Sequence, residues 1–140
     1  MIGLKLGKYL NTLATINNRL SNRSYPDRVP QAELKNFPRA IITVLGGSPE
    51  YSLSGPIPDL AKTIQVDVDA LTRYEANEIA LLVKDAIEFS SANPGDQTWD
   101  DVTVKSCTVE NEREQTFPPG DGSDQWTFRR SFDYRVTYVR

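Results

Sequence analysis

The sequence predicts an α+β domain: a two-layer sandwich in which a mainly antiparallel sheet of four or slightly more strands carries two helices on one face, in the order α-β-β-α-β-β. Three observations carry that prediction. Apolar residues recur at spacings of three and four over residues 2–20 and again over 76–87, the mark of helices with one buried stripe. They alternate in "AKTIQVDVDA" and "WTFRRSFDYRVTYVR", as strands with one buried face do. Stretches rich in Pro and Gly separate these segments.

In chain order, the first helix rests on Ile2, Leu6, Tyr9, Leu10, Leu13, Ile16 and Leu20. "SNRSYPDRVPQAELKNFP" follows and, with its three prolines, reads as an irregular crossing loop anchored by Tyr25. "RAIITVLGG" gives a first strand, Ala40 to Leu45, that stops at a glycine pair. "GGSPEYSLSGPIPD" is either a projecting hairpin arm or a long loop, with Tyr51 and Leu53 alternating between its turn residues. In the second strand Ile64, Val66, Val68 and Ala70 point one way, and Thr63, Gln65, Asp67 and Asp69 the other. Thr72, with Glu75 three residues on, forms a capping box that opens the second helix. "ANPGDQTWDD" ends that helix, because Pro94 and Gly95 do not continue it. "DVTVKSCTVENE" supplies a third strand, and the polar, turn-rich "NEREQTFPPGDGSDQ" connects it to the last. That final strand sets Trp126, Phe128, Phe132, Tyr134, Val136 and Tyr138 on one face, interrupted by Arg130.

With 39% hydrophobic and 25% charged residues, 140 residues suffice for one domain with a substantial core and exclude general disorder. A net charge of −3 gives no broad attraction to nucleic acid or to an anionic membrane. Cys107 is the only cysteine, so no internal disulfide and no usual zinc spacing exists, which fits a reducing compartment. "MIGLKLGKYLNTL" is broken by Lys5, Lys8 and Asn11 before an apolar signal core develops, and no run approaches the roughly 18 apolar residues of a membrane span. Synthesis in the cytoplasm is the expectation. The chain has no histidine, which removes the Ser-His-Asp and Cys-His triads and the commonest general base near neutral pH.

Asp67 and Asp69 share one strand face, so their carboxylates have the spacing to converge on Mg²⁺ or Mn²⁺ in a phosphodiesterase-type enzyme. The strict in-out pattern by itself places them there as the solvated or subunit-facing side of a strand, and that reading is preferred to the metal site. No phosphate loop of the form G-x-x-x-x-G-K-[ST] accompanies them, and "LGGS" and "PPGDGSD" are turn chemistry and not a dinucleotide fold. Cys107 lies in an alternating strand and is read as packing. Phe128, Phe132 and Tyr134 beside Arg129 and Arg130 suggest an RNA-stacking surface, but burial beneath helices explains the same aromatics without a ligand.

The order of "SYPDRVPQ", "FPRAIITVLGGSPEYSLSG", "AKTIQVDVDALTRYEANEIALLVKDAI", "VTVKSCTVENERE" and "TFRRSFDYRVTYV" resembles the tail-completion, or tail-terminator, family of long-tailed bacteriophages, over nearly the whole chain. The resemblance implies a structural role without catalysis or cofactor. Such proteins form a ring, commonly a hexamer, at the head-proximal end of the virion tail, where it caps the tube and stops its polymerisation. The implied partners are further copies of the chain, the tail tube protein and the head-tail connector, with the genome passing through the ring and no direct base readout. A head-side neck protein is the alternative. "NEREQTFPPGDGSDQ" and "SSANPGDQTWDD" are longer than the family pattern.

A ring protomer needs two different contact patches, and residues 46–59 and 111–125 are the candidate arms. Within and beside them, Glu50, Tyr51, Leu53, Asp67, Asp69, Phe117 and Arg129 are the candidate interface residues.

Overall fold

The computed structural model describes residues 2–46, 51–52, 55–56, 60–90, 95–119 and 125–139. The predicted first helix is two: α1, Ile2–Thr12, and α2, Ala14–Leu20. The break falls at Leu13, whose backbone is extended (φ −91, ψ 107), while the Thr12 hydroxyl donates to the Tyr9 carbonyl at 2.6 Å. Leu10, Leu13 and Ile16 keep one apolar stripe running across the break, and this conceals it in the sequence. Ser21 and Asn22 then take left-handed backbone, which ends α2.

The stretch expected to be irregular contains β1, Ser24–Pro26, which pairs in parallel with β2, Arg39–Gly46, from Ser24 opposite Ala40 to Pro26 opposite Ile42. A 3-10 turn, Gln31–Glu33, lies between them. The side chain of Arg23 fastens the return by donating to the carbonyls of Pro38 and Phe37. At the end of β2, Gly46 has φ +128 at a register shift, a conformation that suits glycine. A two-residue hairpin, β3 (Tyr51–Ser52) and β4 (Gly55–Pro56), marks the arm; Glu50 and Leu53 fall outside the described residues.

β5, Leu60–Ala70, and α3, Arg73–Ile87, match the predicted strand and helix. The Thr72 hydroxyl accepts from the Glu75 amide at 3.1 Å, half of the capping box; the Glu75 carboxylate lies 4.0 Å from Arg19. A short strand missed in the sequence, β6 (Gln97–Trp99), turns through Asp100 into β7, Val102–Phe117, and β8 is Thr127–Val139. β7 therefore runs well into the segment expected to be a connection.

Among the described residues, the sheet has six strands in the order β1-β2-β5-β8-β7-β6, all antiparallel neighbours except β1 and β2. Among the described residues, three α-helices and not two complete the α+β fold. Ile42, Ile64, Val66, Phe132, Tyr134 and Val136 form a continuous buried core with Ile79, Val83 and Ile87 of α3. On the same face, Gly3 and Gly7 bring α1 close to Val44 and Ile42. α1 also reaches the far edge of the sheet: Tyr9 stacks on the fully buried Trp99 of β6, and Lys5 bonds Asp100 and Asp101 at 2.9 and 2.8 Å. One helix touching both edges means that the sheet curls round it. Of the aromatic set predicted for the core, Trp126 is exposed just before β8. Among the described residues, no helix is long and apolar enough to cross a membrane.

Candidate functional site: a charged lattice on the open sheet face

The face away from the helices is built from the alternate residues of β2, β5, β8 and β7, and antiparallel register arranges them in rows. Arg39, Asp69, Arg129 and Gln115 make one row; Ile41, Asp67, Ser131 and Arg113 the next; Thr43, Gln65, Asp133 and Asn111 the third. Charges of opposite sign thus fall beside one another between strands, where their side chains meet.

Arg129 grips Asp69 with both ends of the fork, Nε to Oδ1 at 2.7 Å and Nη2 to Oδ2 at 3.0 Å. Arg39 adds a longer contact from Nε at 3.4 Å and donates Nη1 to the Leu34 carbonyl at 2.7 Å. Asp67 accepts from Ser131 Oγ at 2.5 Å and from Gln65 Nε2 at 2.8 and 2.9 Å, with Arg129 Nη1 3.8 Å away. Arg113 holds Asp133 through two bonds of 2.9 Å. Two rings roof the guanidiniums: Arg39 lies 4.4 Å from the Phe37 centroid and Arg129 4.9 Å from that of Phe117. Arg39, Asp69, Phe117, Thr127 and Arg129 line a shallow hollow of about 210 Å³.

Of the two expectations for this strand face, solvated or subunit-facing, the solvated one fails for both aspartates. Asp67 is 4% exposed and Asp69 1%, with Ser131 and Asp133 also buried. Alternation tells which face a residue takes but not what covers it, and here long arginine side chains and two phenylalanines form the cover. Paired, hydrogen-bonded charges are the form in which burial of carboxylates is tolerated. Hydrogen bonds to Asp69 raise the Arg129 pKa above its ordinary value, and those to Asp133 do the same for Arg113, so both stay charged at any working pH.

These bonds bear directly on the metal reading. Asp67 already accepts from a serine and an amide and Asp69 from two guanidiniums, so a divalent ion would have to displace these donors. Among the described residues, no group of three or more His, Cys, Asp or Glu is placed to hold a metal. Of the seven sequence-predicted residues, Asp67, Asp69, Phe117 and Arg129 come together here, and Tyr51 lies in β3. Arg39, Arg113, Ser131 and Asp133 were missed; the signal for Ser131 and Asp133 was the pairing of "QVDVD" against "RRSFD" once the two strands are aligned antiparallel, whereas Arg39 and Arg113 are brought in only by the registers of β2 and β7.

No known protein family matches the sequence, and no curated protein matches it. Among solved structures, the chain is similar to one in the virion of a native gene transfer agent particle, with a TM-score of 0.63 over 99% of this chain and 96% of that one, at 13% identity. At that identity the likeness shows a shared fold.

Proposed function

We propose that this chain is a virion structural protein of a phage-type particle, and more narrowly a tail terminator: a protein that assembles into a ring, commonly a hexamer, at the head-proximal end of the tail. The observation that carries the reading is the end-to-end likeness to a chain of a gene transfer agent virion, which leaves almost nothing of either chain unmatched. The open face suits such a role. Its charges are satisfied within the chain, so it presents a fixed polar surface with Phe117 and Arg129 outermost and Asp67 and Asp69 behind them. In this reading the arm carrying Glu50, Tyr51 and Leu53 reaches a neighbouring copy or the tail tube protein, and the opposite side meets the head-tail connector. The role needs no catalysis and no cofactor.

Light-scattering mass and negative-stain images of the purified protein, alone and with polymerising tail tube protein, test this. Rings and tubes of limited length are expected. A protein that stays monomeric and leaves tube length unchanged overturns the terminator role, and rings that bind only a head-side partner point to the neck position.

A further inference from the structure

β7 is an edge strand for most of its length. β6 pairs only with Val102–Val104, and the Cys107 carbonyl accepts from the Phe89 amide, while from Asn111 to Phe117 the only pairing among the described residues is inward, to β8. That stretch pairs from Asn111 opposite Asp133 to Phe117 opposite Thr127 without a register shift, below a bulge between Val109 and Asn111. Seven consecutive residues thus present a regular row of outward backbone donors and acceptors, the geometry that takes up an added strand.

The side chains along this edge select what can be added. Glu112 and Glu114 are exposed on one side of the strand, both reaching Arg130, at 3.0 and 3.3 Å; Phe117 is exposed on the other. A second copy pairing the same edge about a twofold axis sets residues of equal parity opposite each other. A register centred on Arg113 puts Glu112 against Glu114 twice, and one centred on Glu112 puts that residue against itself. Like charges directly opposite destabilise such pairs, so these two registers are disfavoured between copies, whereas a basic residue opposite either glutamate is favoured. We propose that Asn111–Phe117 accepts an extended basic segment of another polypeptide as an antiparallel strand, with Lys or Arg opposite Glu112 and Glu114 and an apolar residue opposite Phe117. Read from its N-terminus, the segment is apolar-x-x-basic-x-basic. The assignment stands apart from the ring reading, since it rests on the edge alone.

The probe is a capped peptide, Val-Thr-Thr-Lys-Thr-Lys-Thr, titrated into the isotope-labelled full chain at low salt and followed by amide shifts and hydrogen exchange. Protection is expected at outward amides within residues 111–117, weakening as salt is added. The same peptide with glutamate in place of lysine should bind roughly tenfold more weakly or not at all, and Glu112→Gln with Glu114→Gln should weaken the lysine peptide about three- to tenfold, the scale of two cross-strand charge pairs. Equal response to both peptides, shifts confined elsewhere, or amides already protected in the free protein would each overturn the proposal. The peptide comparison and the salt series use the wild-type chain, so they decide the matter even if the double variant misfolds.

Discussion

Asp69 and Arg129 face each other across β5 and β8, joined by two hydrogen bonds, with the carboxylate 1% exposed. Arg129→Ala leaves that charge, among the described residues, with the 3.4 Å contact from Arg39, and is expected to destabilise the protein by about 3 kcal/mol, as broken buried pairs do. Asp69→Val combined with Arg129→Leu leaves no charge stranded and should cost less than the single change. Urea unfolding of the two variants measures this; a double variant weaker than Arg129→Ala contradicts it.

A methyl group at Gly7 would meet Ile42 Cδ1 at 3.7 Å and the Ser24 carbonyl at 3.8 Å, ordinary contact distances. Alanine is favoured over glycine inside a helix by about 0.5–1 kcal/mol. Gly7→Ala is therefore expected to raise stability by roughly that amount. Gly3→Ala should gain less, since its methyl meets Val44 Cγ2 at 3.3 Å. Thermal melts that place Gly3→Ala above Gly7→Ala would refute the packing argument.

The hydroxyl of Thr72 satisfies the Glu75 amide at the start of α3. Thr72→Ala should cost about 1 kcal/mol, and Thr72→Ser or Thr72→Asp should retain most of the stability. Equal loss in all three would mean that the threonine methyl, not the oxygen, matters.

Burial pushes the Cys107 thiol up to about 12 from an ordinary 9.0, and burial likewise raises Tyr134 beside it. The unfolded thiol therefore ionises at lower pH than the folded one. Stability from this group is fully present below pH 9 and is lost as pH rises from there towards 12. Cys107→Ala should show a shallower alkaline decline in denaturant midpoint than the wild type. At neutral pH, a thiol reagent should label Cys107 only as fast as the protein unfolds.

Much of the frame was legible because period and capping are local. Ile64, Val66 and Val68 fix the buried face of β5, and Thr72 fixes where α3 begins. The misses have physical causes of their own. The lower half of β7 is polar on both sides, since one face joins the charged lattice and the other bears Glu112 and Glu114 beyond the helices; without an apolar alternation it resembles a loop. β1 is three residues long, and its existence depends on β2, so no local pattern announces it. For the candidate site, the residue types and faces of Asp67, Asp69 and Arg129 were readable. Their burial was not, because it depends on Arg39 and Phe117, which only the register brings to them.

The place of β8 between β5 and β7 has a consequence for how the molecule comes into being. Its residues 127–139 are synthesised after the other described strands, yet among the described residues they supply the strand pairing that joins β5 to β7. Until β8 is made, β5 and β7 lack their shared neighbour, so the sheet is not completed by adding strands outward in chain order. A chain cut short before β8 is therefore expected to be more sensitive to protease than one that contains it, because β5 and β7 then lack their shared neighbour.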